Sequence, residues 1–249
     1  MRDATNPRVI RYRQIAEALR AQLAAGALGS GRLLPSESDL SAEFDASRVT
    51  IRRALEVLRE EGLVDARQGF GWFVAGSPFR QTLGQLATIE EQMTADGIAP
   101  ARRILEFAFG RATSHVRAVL GTDQVLRVKR LNLADGQPFA IVTVWCPADL
   151  GQSLSRRDVE AASFYELLGV PLRGATQTIG ADSASSVEAG LLHVPDGAPV
   201  LRCERVTTDT DGKAVLLSEH VFPAHRTEFV VDLPYAAPSI APAGLRFVE

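Results

Sequence analysis

The sequence predicts an α+β protein of two domains, in which helices and a short hairpin come first and a largely antiparallel sheet follows. Three observations predict it. The chain has 249 residues, more than one average domain. Strong helical periodicity is concentrated in its first quarter. The remainder carries the hairpin dipeptides Asp135-Gly136 and Asp211-Gly212 between β-prone runs. With 46 % hydrophobic and 23 % charged residues, the composition is that of an ordinary globular protein.

Three helices are predicted near the start of the chain. Apolar residues recur at helical spacing over 12–25, and glycines follow. Pro35 blocks helix continuation, and Ser36 can cap a second, short helix. Ser47 can cap a third helix that runs to about residue 61 and has an apolar face.

Two short β-prone pieces flank Gln68-Gly69 within 63–74 and indicate a hairpin. Three helices followed by a hairpin are the plan of a winged helix-turn-helix. We therefore predict a DNA-binding domain over 8–75, a linker rich in glycine, serine and proline over 76–84, and a second domain over 85–240.

The second domain alternates short helices with strands. Helices are predicted at 87–95, 114–120, 164–168 and 186–192, and strands at 103–109, 125–133, 138–146, 175–181, 200–208 and 213–222. A last strand at 229–233 is expected to close the sheet. Hairpins joined by short helices imply an α+β domain with a mainly antiparallel sheet.

Several function classes are disfavoured. No apolar run approaches the length of a membrane span, so we expect a cytoplasmic protein. Cys146 and Cys203 lie far apart, which argues against a disulfide framework or a structural zinc site. Glu219 and His220 could form an acid–base pair, but adjacent strand residues point to opposite faces. We expect no catalytic residues, no metal and no cofactor.

The most informative motif combines several segments with fixed spacing. They are Leu34-Pro35-Ser36-Glu37, Phe44, Ser47-Arg48-Val49-Thr50-Ile51-Arg52, Gly62-Leu63 and the run from Arg67 to Val74. A Ser-Arg-x-Thr run alone is usually only a capped, solvated turn. The whole set strongly resembles the winged helix of the GntR family of transcription regulators, over residues 11–75. The resemblance implies DNA contacts from Ser47, Arg48, Thr50, Arg52, Gln68 and Gly69, and departs at Ser38, where many relatives carry an arginine.

Physical chemistry supports DNA binding by the same residues. The start of the third helix places hydroxyls and guanidinium groups where they can enter a major groove. Arginine can pair bidentately with guanine, whereas hydroxyls and helix-start N–H groups suit phosphates. Ser36 and Arg67 join the candidate contacts on this basis. Arg53 is exposed on the helical wheel, and whether it faces phosphate or solvent stays open.

The second part of the chain resembles the effector-sensing UTRA domain of the HutC-like branch of that family, over 83 to about 233. The resemblance is carried by 125–131, 134–138, 163–168, 178–181 and 198–201. It implies the chorismate lyase fold, used as a sensor of small molecules. Fold alone does not imply an enzyme.

The resemblance also implies an effector site. Thr88, Arg130, Ser163 and Tyr165 match ligand contacts in sugar-phosphate-sensing relatives. Asn132 stands where those relatives have a second arginine, and Val142 and Leu216 stand where many have glutamate. Trp145 and Glu219 complete our candidates. The alternatives of a helix cap for Ser163 and of core packing for Trp145 stay open.

Asn132, Val142 and Leu216 give the predicted site less charge and more apolar surface than the resemblance implies. We therefore expect an effector less anionic than a sugar phosphate, with one carboxylate or an apolar moiety. The overall expectation is a homodimeric repressor that binds an inverted-repeat DNA operator and is released by a small molecule. The alternatives are an enzyme of chorismate lyase type with an appended DNA-binding head, and a sensor that has lost ligand binding.

Overall fold

A computed structural model describes residues 7–25, 32–67, 71–75, 79–83, 89–95 and 97–233. The N-terminal part contains helices α1 (Pro7–Ala24), α2 (Glu37–Glu43) and α3 (Arg48–Glu60) and strands β1 (Val64–Arg67) and β2 (Gly71–Val74). The three predicted helices and the two strands of the hairpin are confirmed. Helix α1 begins earlier than the apolar periodicity indicated. None of the described helices combines the length and apolar character needed to span a membrane.

Serine caps fix where the second and third helices begin. Ser36 Oγ accepts a hydrogen bond from the Asp39 N–H at 3.1 Å, and the Asp39 carboxylate accepts one from the Ser36 N–H at 3.1 Å. Ser47 Oγ accepts from the Thr50 N–H at 3.3 Å. Such caps satisfy N–H groups that the helix itself leaves unpaired, and the cap at Ser36 is reciprocal.

A small apolar core holds α3 from behind. Leu19 of α1, Leu40 of α2, and Ile51, Leu55 and Leu58 of α3 are at most 1 % exposed. The buried residues of α3 lie on one face at helical spacing. The polar start and outer face of α3 therefore remain available at the surface.

The hairpin of β1 and β2, which we call the wing, contacts the C-terminal part of the chain. Strand β1 pairs antiparallel with β2, and Leu33 forms a bridge with Phe73. Phe73 is buried in a cluster with Leu131 and Leu192 of the C-terminal part, and its ring lies 5.8 Å from that of His225. The tip of the predicted hairpin, with Gln68 and Gly69, lies outside the described residues.

The C-terminal part is built on a six-stranded antiparallel sheet. Its strands are β4 (Pro100–Arg111), β5 (Gln124–Ala134), β6 (Gln137–Pro147), β7 (Leu172–Ser183), β8 (Pro199–Asp209) and β9 (Ala214–Pro223), in the order β4-β5-β6-β9-β8-β7, and β3 (Phe79–Leu83) and β10 (Thr227–Val231) pair separately. Both hairpins predicted from Asp-Gly dipeptides are confirmed. Asp135 and Gly136 both have positive φ, which a tight hairpin turn requires.

Helices cover both faces of this sheet. They are α4 (Ile89–Ala95), α5 (Ser114–Leu120), α6 (Ala148–Gly151), α7 (Arg156–Ala161), α8 (Phe164–Leu167) and α9 (Ser186–Leu192). Side chains of α4, α6, α7 and α8 pack on one face, which we call the cavity face. Those of α5 and α9 pack on the opposite face.

Two sequence-based expectations need correction. Part of the predicted linker 76–84 is strand β3, which pairs in parallel with β10. The predicted last strand, 229–233, overlaps β10 and therefore does not join the six-stranded sheet. The physical reason is aromatic packing: Phe79 and Phe229 lie 5.1 Å and 5.7 Å from the rings of Phe139 and Phe222. This burial holds both segments against the cavity face.

Candidate nucleic-acid interface and ligand cavity

The start of α3 brings the predicted DNA-binding side chains together at the surface. Ser47, Arg48, Arg52 and Arg53 are exposed, and Thr50 is half-buried. Ser47 Oγ and Thr50 Oγ1 lie 2.8 Å apart and share a hydrogen bond. The helix therefore presents hydroxyls, guanidinium groups and unpaired N–H groups at its leading end.

Helix α2 holds two of these guanidinium groups in position. Arg48 Nη2 donates to Ser38 Oγ at 3.0 Å. Arg52 Nε and Nη2 donate to the two carboxylate oxygens of Glu37 at 2.9 and 2.7 Å, yet the Arg52 side chain stays 62 % exposed. The indole Nε1 of Trp72 also donates to Glu37 at 3.1 Å. The hydrogen bond from Arg52 lowers the pKa of Glu37.

The remaining predicted contacts are placed as follows. Arg53 donates to Glu56 at 3.1 Å and lies over the Tyr12 ring at 5.9 Å, so it faces α1. Ser36 is exposed, with its hydroxyl bonded to Asp39 at 2.7 Å. The side chain of Arg67 lies outside the described part of the chain, as the wing tip does.

A cavity opens on the cavity face of the large sheet. The space inside it that a water-sized molecule can occupy is about 40 Å³, and the cavity opens to solvent. Four predicted effector contacts line it together: Arg130, Asn132, Ser163 and Tyr165. The apolar side chains of Val142 and Leu216 also line it. Thr88 lies outside the described residues.

Arg130 is the main charged group of the cavity. It is 7 % exposed, and Nη2 lies 3.8 Å from Glu90 Oε1. Its Nε and Nη1 have no hydrogen-bond partner among the described residues. Burial lowers the pKa of Arg130 to about 10, so the side chain remains a cation at neutral pH. A buried cation with unpaired N–H groups is suited to an anion.

Glu90 is a cavity residue that sequence reasoning missed. Its Oε1 accepts from Arg102 Nε at 2.8 Å and from Asn132 Nδ2 at 3.0 Å. Burial opposes its ionisation, but the charges of Arg130 and Arg102 outweigh burial and lower the pKa of Glu90. Glu90 thus holds the amide of Asn132 in place, and the Oδ1 of Asn132 has no partner among the described residues.

Ser163 and Tyr165 are positioned by helix α8. Ser163 caps that helix and also lines the cavity, which reconciles the two interpretations of this residue. Its Oγ donates to Glu166 at 3.0 Å. The Tyr165 hydroxyl accepts from Arg205 Nη1 at 3.0 Å. Arg205 lines the cavity as well and was not predicted.

Ser218, His220 and Gln81 complete the polar lining. Burial, followed by the charges of Arg205 and Arg130, lowers the pKa of His220 to about 3, so its ring is neutral. Gln81, on β3, is 5 % exposed, and its Oε1 has no partner among the described residues. The alternation of Leu216, Ser218 and His220 along one strand was the available sequence signal for His220.

Two predicted effector contacts do not line the cavity. Trp145 packs with Val116 and Leu120 of α5 on the opposite face, so the core-packing alternative is the correct one. Glu219 pairs with Thr143 and Glu204 in the sheet register. Strand residues alternate between faces, so the residues adjacent to cavity-lining positions point away from the cavity. Trp145 was a candidate because it lies on the same hairpin as other candidate residues, but a position on the same hairpin does not decide which face of the sheet a side chain is on.

The fold and the two sites define a class of protein. A winged helix with exposed, pre-positioned arginines is a DNA-binding head. A joined domain whose buried cavity holds a partly unpaired cation is a small-molecule sensor. Together they are the parts of a transcription regulator that responds to a ligand.

Comparison with known proteins also indicates a transcription regulator. Residues 11–74 match the bacterial regulatory proteins of the gntR family, and residues 95–228 match the UTRA domain. The chain is 31 % identical over 226 residues to the HTH-type transcriptional repressor NagR of Bacillus subtilis, covering 88 % of this chain and 93 % of NagR. It is 34 % identical over 233 residues to an HTH-type transcriptional regulator of Mycobacterium tuberculosis, covering 90 % and 86 % of the two chains. The chain belongs to the GntR family and carries a UTRA domain.

A solved structure supports the same fold. PhnF from Mycobacterium smegmatis superposes with a TM-score of 0.60 at 26 % identity, covering 89 % of this chain and all of that chain. The two relatives are named as a transcriptional repressor and a transcriptional regulator, and neither is named as an enzyme. The protein is therefore a ligand-responsive, DNA-binding regulator, and the enzyme alternative is set aside.

Proposed function

We propose that this protein is a cytoplasmic, homodimeric repressor that binds an inverted-repeat operator and is released by a small anionic effector. The observation that carries the proposal is Arg130, a buried cation with two unpaired N–H groups in a cavity joined to a DNA-binding head. Repression is also what the names of several relatives state for those proteins.

On DNA, we assign base reading to the leading end of α3. Arg48 and Arg52 are exposed while their guanidinium groups are already oriented by Ser38 and Glu37. Pre-orientation reduces the side-chain entropy lost on binding. The phosphate backbone and groove edges are assigned to Ser36, Ser47, Thr50, Arg67, Gln68 and Gly69. Arg53 would have to leave Glu56 and Tyr12 to reach a phosphate.

The effector is proposed to carry a single carboxylate. Arg130 is the cavity cation whose buried nitrogens lack partners. The other cation of the lining, Arg205, already donates to Gln177 and Tyr165. Val142 and Leu216 are apolar. A phosphate monoester carries nearly two charges at neutral pH. A second charge without its own partner is costly in a buried site.

Titration calorimetry tests this ligand class. We expect glucosamine 6-phosphate and glucose 6-phosphate to bind weakly, with Kd above about 1 mM, roughly 4 kcal/mol. A panel of small hydroxy- and aryl-substituted monocarboxylates is expected to contain a micromolar ligand that releases DNA. Micromolar binding of either sugar phosphate, with no response to the carboxylates, would contradict the proposal.

We propose that strand β3 couples effector binding in the cavity to the position of the DNA-binding domain. This strand follows the wing after only four residues and places Gln81 in the cavity lining. Its Oε1 lacks a partner among the described residues and can accept a hydrogen bond from a ligand. A ligand that fixes Gln81 would bias the position of β3 and of the attached head, as a differential contact must for any such switch.

The dimer is proposed to form through the edge strand β7. Residues 175–181 of this strand carry no charge and are mostly exposed, with Ile179 among the exposed large apolar side chains. A long, uncharged edge invites pairing with another strand. The other edge, β4, is protected: it carries a bulge after Ile104, several charges, and a hydrogen bond from Arg156 to the Ile104 carbonyl.

Sedimentation equilibrium tests that interface. A lysine in place of Ile179 puts a charge on the edge, so Ile179→Lys is expected to raise the dimer Kd at least 30-fold, which is about 2 kcal/mol. The matched control is Phe109→Lys on the opposite edge strand, at another exposed apolar side chain. A monomeric wild type, or dimer loss in the control alone, would contradict the assignment.

A further inference from the structure

Val49 is an exposed apolar side chain in the centre of the candidate DNA-binding surface. It is 80 % exposed and is the second residue of α3. A helix turns about 100° per residue, so Val49 points nearly opposite to Ile51, which is fully buried. The core that holds α3 therefore makes no use of this side chain.

Local folding does not favour valine at this position either. A β-branched residue in a helix is less favourable than alanine, because the helix restricts its χ1 rotamers. The cap at this helix start is made by Ser47 and the Thr50 N–H, and Val49 takes no part in it. The residue is flanked by Arg48 and Thr50, both candidate DNA contacts. Its side chain is therefore free to contact a molecule that α3 meets outside the protein.

The edges of the bases in a major groove offer one apolar group, the C5-methyl of thymine. We propose that Val49 reads a thymine in each half-site by packing its methyl groups against that C5-methyl. The inference rests on the proposed docking of α3 in a major groove. Neighbouring Cα atoms lie about 3.8 Å apart, close to the spacing of about 3.4 Å between successive base pairs. The thymine should thus lie within one or two base pairs of the base that Arg48 contacts.

A thermodynamic cycle between protein and DNA tests the contact directly. The DNA is a palindromic duplex selected by the full-length wild-type protein from a random-sequence pool. Each thymine of the half-site is replaced in turn by deoxyuridine, which removes only the C5-methyl, at both symmetry-related positions. Replacement at one of these positions is expected to weaken wild-type binding about four-fold per half-site, because the contact with one buried methyl group is lost. With two half-sites the loss is about fifteen-fold overall. The Val49→Ala variant is expected to lose this sensitivity.

Val187→Ala is the matched control. Val187 is also the second residue of a serine-capped helix, α9, and is 68 % exposed, but it lies in the C-terminal domain. This variant should keep the wild-type response to deoxyuridine. A selected duplex with no methyl-sensitive thymine, or equal sensitivity in Val49→Ala, would overturn this inference alone. Failure to select any palindromic duplex would overturn both this inference and the proposed function.

Discussion

Replacing Arg130 by methionine is expected to abolish release from DNA by the effector while leaving operator binding intact. Removing one partner of a buried charge contact typically costs about 2–5 kcal/mol, a loss in effector affinity of roughly 30-fold to several thousand-fold. The measurement is the effector concentration that releases a labelled operator, with the ligand that the carboxylate panel identifies.

The stability of this variant separates binding from structure. Arg130 leaves two buried N–H groups unpaired, and Glu90 keeps its 2.8 Å contact with Arg102 when Arg130 is removed. Removing one partner of a buried ion pair is strongly destabilising when the other charge is left uncompensated, and here Arg102 still compensates Glu90. The thermal midpoint is therefore expected to stay close to that of the wild type. A marked fall in the midpoint, or unchanged effector response, would contradict the role assigned to Arg130.

Arg48→Ala is expected to reduce discrimination between the operator and scrambled DNA. One bidentate arginine–guanine pair contributes about 1–3 kcal/mol, and a dimer has two, so the ratio of the two affinities should fall by at least 30-fold. Arg52→Ala should relax base preference in the same sense. Since Glu37 holds Arg52, Glu37→Gln is the control for loss of the ion pair alone.

Arg67→Ala provides the contrasting case for a phosphate contact. Both operator and scrambled DNA should be bound more weakly by a similar factor. The slope of log K against log salt concentration should decrease in magnitude by about one for each arginine removed. Equal effects of Arg48→Ala and Arg67→Ala on matched and scrambled duplexes would show that the division between base and phosphate contacts is wrong.

The helices and hairpins could be predicted because their signals are local. The caps at Ser36 and Ser47 and the Asp-Gly turns fix element boundaries through neighbours within a few residues. The short helix α7, by contrast, has a single buried residue, Val159, and offers no periodicity to detect.

The missed parts depend on contacts between distant segments. Strands β3 and β10 pair across almost 150 residues, as the contact of Arg80 with Glu228 shows. Their pairing places Gln81 in the cavity, which no local pattern reveals. Glu90 and Arg205 likewise gain their roles from partners on other elements. The misplaced Trp145 shows the complementary point, since strand alternation alone would have assigned it to the other face.

The central claim is that the leading end of α3 enters duplex DNA. The most direct measurement is the binding of the purified protein to palindromic duplexes, from the region next to its own coding sequence, at increasing salt concentrations. We predict a clear preference over scrambled duplexes, half-sites about one helical turn (34–36 Å) apart, and a logarithmic salt slope of several units. Absence of any salt-sensitive preference for such a palindrome would contradict the account.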